Sequence, residues 1–83
     1  MSEYTYDEIW GYEYERIQEY LLSQGAAADG DTYDLDDCTI VLESLPDRQA
    51  GRLFFAQTRV RIKGSGAEIF HHRFKLHFLS GGA

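Results

Sequence analysis

The chain holds a single cysteine, a single proline and a single methionine, and no apolar run long enough to cross a bilayer. With Cys38 alone no disulfide forms within the chain, which excludes a disulfide-stapled secreted scaffold. The expected setting is a soluble protein of a reducing compartment, the cytoplasm, with no signal peptide and no membrane partner. Signatures of nucleophilic catalysis are equally scarce. There is no G-x-S-x-G, no phosphate-binding glycine loop and no cysteine pair, and Asp36 and Asp37 immediately before Cys38 disfavour a thiolate. No small-molecule substrate and no cofactor are inferred.

Positive charge is nearly missing from one half. Residues 1–47 carry thirteen acids against Arg16 alone, whereas residues 48–83 carry seven Lys and Arg against Glu68 alone. The halves sum to −12 and +6, which returns the net −6. So complete a split implies two surfaces of opposite sign, or surfaces that neutralise each other. At 83 residues one core is barely sufficient, and oligomerisation is a common source of added stability at this size.

What is present reads as one α+β domain. Thr5 and Glu8 are spaced as a capping box, and Tyr6, Ile9, Trp10, Ile17, Tyr20 and Leu21 recur at three- and four-residue intervals. Together they predict a helix over about residues 5–24, with Gly25 as its C-cap. The Asp- and Gly-rich segment over about 25–37 reads as an acidic loop. Three stretches rich in aromatic and β-branched residues follow, at about 38–45, 52–63 and 67–79, separated by LPDRQAG and GSG. The expected architecture is therefore an N-terminal amphipathic helix packed on a three-stranded antiparallel β-meander, with a frayed tail over 80–83.

If GSG is a three-residue hairpin loop, Val60 pairs with Phe70, Thr58 with His72, Ala56 with Phe74 and Phe54 with Leu76 on a covered face. The reverse side then carries Phe55, Gln57, Arg59, Arg61, Lys63, His71, Arg73, Lys75 and His77, a cationic binding face. A second candidate face lies on the helix, with Glu8, Tyr12, Glu15 and Glu19. On strand parity His72 is inward, opposite Glu13 in the helix stripe, which makes Glu13 and His72 a candidate buried polar pair.

Metal chemistry finds little support. Side chains on one strand face repeat every ~6.5–7 Å, so His71, His72 and His77 cannot share an ion with ~2 Å ligand bonds. The loop DGDTYDLDD has an EF-hand composition, but counting from Asp29 its fifth, sixth and twelfth positions are Tyr33, Asp34 and Ile40. The expected function is thus non-enzymatic: a small protein-binding module or regulator, or a homodimer, acting through its charged faces. A phage-type inhibitor of a nucleic-acid-handling complex is a specific version of it. The alternative is single-stranded nucleic-acid binding by the basic sheet face.

Overall fold

A computed structural model describes residues 5–35 and 37–80. In chain order the elements are β1 (Tyr6–Trp10), α1 (Tyr14–Ser23), β2 (Ala27–Asp29), β3 (Thr32–Leu35), β4 (Cys38–Ala50), β5 (Leu53–Lys63) and α2 (Ala67–Ser80). The fold is α+β, but the sheet has five antiparallel strands in the order β1-β5-β4-β3-β2. Both helices cover the same face, since Ile17, Tyr20 and Leu21 of α1 and Phe70, Phe74 and Phe78 of α2 share one core with Ile40, Leu42, Val60 and Ile62. The expected single helix on a three-stranded meander is overturned.

Three local competitions explain the difference. Residues 5–24 are not one helix. Tyr6, Glu8 and Trp10 alternate with Asp7 and Ile9, and that period-two set pairs with β5, Tyr6 opposite Ile62 and Trp10 opposite Thr58. The capping box does not form, because Glu8 lies on a strand and α1 starts only after Glu13, whose side chain makes no cap bond. The helix ends one residue before the expected place, at Ser23 with Gln24 as its C-cap, and Gly25 follows at φ 94; the Ala26 N–H donates to the Leu21 carbonyl and the Gly25 N–H to that of Leu22.

The expected acidic loop is mostly a hairpin, β2 to β3, turning at Gly30 and continuing into β4, with Leu35 opposite Cys38. Of the segment LPDRQAG, residues 45–50 are likewise strand, and the turn is confined to Gly51 and Arg52. A bulge between Leu45 and Arg48 takes up Pro46 and Asp47, so the proline needs no ladder N–H, and Arg48, Gln49 and Ala50 pair again with Phe55, Phe54 and Leu53.

The third correction is the largest. Residues 67–80 form α2, not a strand, so the register Val60 to Phe70 does not exist. Gly64, at φ 121, packs so closely on the Asp37 carbonyl and the Cys38 Cα that a Cβ there would lie 2.8 Å from the latter. The Gly66 N–H caps the same Asp37 carbonyl at 3.1 Å, and the chain turns from β5 into the helix there. Ala67, Phe70, His71, Phe74 and Phe78 are buried at helical spacing, whereas His72 is exposed and Leu76 is 52% exposed. Of the frayed tail expected over residues 80–83, Ser80 instead ends α2, and 81–83 lie outside the described residues.

The core is aromatic where the helices meet β1. Phe74, fully buried, packs on Trp10 (4.4 Å between ring centroids), Phe78 (4.9 Å) and Tyr20 (5.3 Å). The fully buried Tyr33 keeps its hydroxyl satisfied by Gln18 Nε2 at 2.9 Å and Tyr14 Oη at 3.1 Å, and Tyr14 in turn donates to Asp31 at 2.6 Å. Burial, with these partners, pushes the Tyr14 phenol far above its ordinary range.

Candidate interaction surface

With both helices on one side, the other face of the sheet has no covering layer among the described residues. Partners across an antiparallel ladder share a face, so the registers fix its composition. One row across it reads Asp7, Arg61, Val41, Thr32, Asp29; the next reads Lys63, Thr39, Asp34, Ala27; a third reads Ile9, Arg59, Glu43. None of these side chains is buried.

The face is a mixture of signs and not the expected cationic strip. Phe55, Gln57, Arg59, Arg61 and Lys63 do share it. His71, Arg73, Lys75 and His77 lie on α2, on the opposite side of the sheet, and contribute nothing to it. Arg59 is engaged by two hydrogen bonds to Asp7, at 2.9 and 2.8 Å, with Glu43 3.9 Å away. Hydrogen bonding and charge from Arg59 hold the Asp7 carboxyl below its usual range, and the guanidinium is correspondingly raised. Asp34 accepts a hydrogen bond from Thr39 at 2.9 Å.

Beyond the last pairs of β1 and β3, β4 and β5 continue alone as a two-stranded arm. Leu53, Phe54 and Phe55 stand on it at 62%, 65% and 47% exposure. Phe55 opposite Arg48 and Leu53 opposite Ala50 prolong the outer face, and Phe54 opposite Gln49 points to the helix side. The sequence held a signal for this element: LFF places large apolar side chains on both parities of a strand, which no one-sided core can absorb.

The helix face proposed from spacing is dispersed. Glu15 and Glu19 are exposed on α1, but Glu8 is on β1, and Tyr12 lies between β1 and α1 with its ring 4.7 Å from that of Phe78. Glu13, just before α1, and His72, on α2, are both exposed, so they form no buried pair. The helical period reverses the two adjacent histidines: His71 is the buried one. Its ring stacks on Tyr6 at 3.7 Å and 4°, and its Nε2–H donates to Glu8 Oε1 at 3.1 Å. The same oxygen accepts Trp10 Nε1–H at 3.0 Å.

Burial alone would raise the Glu8 carboxyl. The two hydrogen bonds, with the charges of His71 and Lys75, outweigh burial and hold it below its ordinary value. This cluster ties α2 to β1. Beside it, Glu8, Trp10, Tyr12 and Lys75 line a shallow cleft of about 300 Å³. Among the described residues no three His, Cys, Asp or Glu side chains are grouped to hold a metal ion. The acids of the former loop diverge, Asp29 and Asp34 to the outer face and Asp31 to Tyr14. Among the described residues, no helix is long and apolar enough to span a membrane. No protein-family model matches the chain, and no curated protein matches it.

Proposed function

We propose that the protein is a non-enzymatic, cytoplasmic protein-binding module that engages another protein through the uncovered sheet face and the arm that prolongs it. The exposed Leu53, Phe54 and Phe55 carry this reading. A two-stranded ribbon is marginal by itself in water, so three consecutive large apolar residues on one are costly unless a partner covers them. Burying them is worth about 1.5–3 kcal/mol each before the cost of ordering the complex is subtracted. Arg48 and Arg52 beside them suit an apolar partner surface with an acidic rim. Glu8 and His71 are committed to each other and to Trp10, which leaves them a structural role. Cys38, buried and the one cysteine of the sequence, fits a reducing compartment.

Single-stranded nucleic acid on the same face is the alternative. The acids set among its cations, and the Arg59–Asp7 pair in particular, work against a phosphate track. A photo-cross-linking amino acid at position 55, with position 19 on α1 as control, tests the choice in cells. Cross-links to one protein from position 55 but not from 19, and a loss of about 100-fold in affinity for that purified protein on Leu53→Ser with Phe55→Ser, support the proposal. Undiminished binding by that variant, or salt-sensitive capture of single-stranded DNA or RNA at position 55, refutes it.

A further inference from the structure

We propose, resting on the assignment of the arm to the protein-binding surface, that the partner receives the arm in a cleft whose apolar walls cover it from both sides. The first argument is strand parity. Leu53 and Phe55 stand on the outer side of the ribbon and Phe54 on the helix side, and at 65% exposure Phe54 is the barest of the three. Every residue from 46 to 55 is exposed, so among the described residues neither helix covers the reverse of the arm. A partner lying flat on the outer face would bury Leu53 and Phe55 and leave Phe54 in water. Walls on both sides cover all three.

The second argument is that the arm has its shape before a partner arrives. The pairs Arg48–Phe55, Gln49–Phe54 and Ala50–Leu53 close on the turn at Gly51 and Arg52, where Gly51 takes φ 63. Gln49 Nε2 donates to the Gly51 carbonyl at 3.1 Å at the tip, and Gln57 Nε2 donates to the Pro46 carbonyl at 3.0 Å at the root. A hairpin held in this way loses little freedom on entering a cleft. At ~3.4 Å per pair the arm reaches roughly 10–15 Å beyond the bulge, and layers packed on a ribbon lie ~10 Å from it on either side. The receiving cleft is therefore a slot with roughly 20 Å between the backbones of its walls.

Charge gives the cleft its orientation. Residues 48–55 hold Arg48 and Arg52 and no acid, and Arg48 is on the outer side, opposite Phe55. On the helix side of the root the sign reverses: Glu13 and Asp47 border a recess of about 160 Å³ beside Ala56 and Thr58. Among the described residues none of these four charged side chains is in an ion pair. The matching mouth has an acidic lip against Arg48 and a cationic lip against Glu13 and Asp47. An anionic lipid surface would also enclose the tip, but it would press its headgroup phosphates on Glu13 and Asp47. A protein cleft with lips of opposite sign satisfies both sides of the root.

A photo-cross-linking amino acid placed at position 54, and separately at 55, tests the proposal in cells, with the cross-linked peptides mapped by mass spectrometry. Both positions are expected to capture the same protein, through different segments of it. Against that protein, purified, Phe54→Ser should weaken binding at least about 10-fold, as Phe55→Ser does. Glu13→Gln with Asp47→Asn should weaken it about 3-fold or more at low salt, an effect that fades at about 0.5 M salt. Circular dichroism checks that each variant is folded. Capture at 55 but not at 54, or undiminished binding by Phe54→Ser, means docking on one face and overturns the cleft while leaving the protein-binding assignment standing. Tighter binding on neutralising Glu13 and Asp47, or capture at 54 of a second copy of the chain, overturns it as well. So does co-sedimentation with vesicles of equal parts phosphatidylglycerol and phosphatidylcholine that Phe54→Ser abolishes. Capture of no protein at either position ends both readings.

Discussion

Phe74 and Leu76 are two residues apart, and the difference between strand and helix at residues 67–80 turns on how differently they should behave. In a strand with Phe70 inward, both would be core. In α2 Phe74 is fully buried, in ring contact with Trp10, Tyr20, Phe70 and Phe78, whereas Leu76 is 52% exposed. Phe74→Ala removes a ring from a site where four other rings cannot all close the gap, and should cost about 3–5 kcal/mol. A chain of this length has about 4–12 kcal/mol of stability in total, so the loss is a large part of it. Leu76→Arg puts a charge where half the side chain already meets water and should stay within about 0.5 kcal/mol of wild type. Urea denaturation followed by far-UV circular dichroism reads both. A cost above about 2 kcal/mol for Leu76→Arg, or near-equal costs for the two variants, would refute the helical assignment.

Two further outcomes follow from local geometry and charge. Gly64→Ala places a methyl against the Asp37 carbonyl at a φ of 121 and should lose at least about 2 kcal/mol; Gly11→Ala, with nothing within 4 Å of its added Cβ, should lose less than about 1 kcal/mol in the same titration. Glu8 is ordinarily at 4.5 and lower in the folded chain, so between those values the unfolded state binds more protons and stability rises with pH. Its contribution is complete above 4.5 and is lost as pH falls through the folded value. Stability measured from pH 3 to 6 should therefore decline less steeply toward acid in Glu8→Gln than in wild type, and identical slopes would contradict the Glu8–His71–Trp10 cluster.

Which side of β5 faces the core was legible, although its pairing partners were not, and the reason is one-sided burial. Thr58, Val60 and Ile62 alternate with Gln57, Arg59 and Arg61 so cleanly that only one face of β5 can be the core. The end of α1 near Gly25 was legible because a left-handed residue was required there. Residues 67–80 misled because Phe70, Phe74 and Phe78 are four apart, a spacing that fits period two and a helical face equally. The choice rested on His72 and Leu76, which a strand needs inside and a helix leaves outside. One clue was present: β-branched residues, common in β4 and β5, are reduced to Ile69 in this segment.

The same ambiguity acts on YDEIW, where Tyr6, Ile9 and Trp10 imitate a helical stripe. Only the free edge of β5, invisible in the sequence, recruits them as a strand. Since the cationic strip was built from the false strand, half of it moved to the far side of the sheet. The half on β5 stayed, and it is accompanied by acids from β1, β3 and β4 that only the fold brings there.

The central claim is that the uncovered sheet face and its arm are where this protein meets protein. Backbone and methyl NMR of labelled chain, followed from the dilute to the concentrated state and then with any cross-linked partner, reads that residue by residue. Shift changes and slowed amide exchange should gather on Ile9, Val41, Leu45, Leu53, Phe55 and Arg61. Changes that gather instead on Glu15, Glu19, Leu22, Ile69 and Leu76 of the helix layer would contradict it.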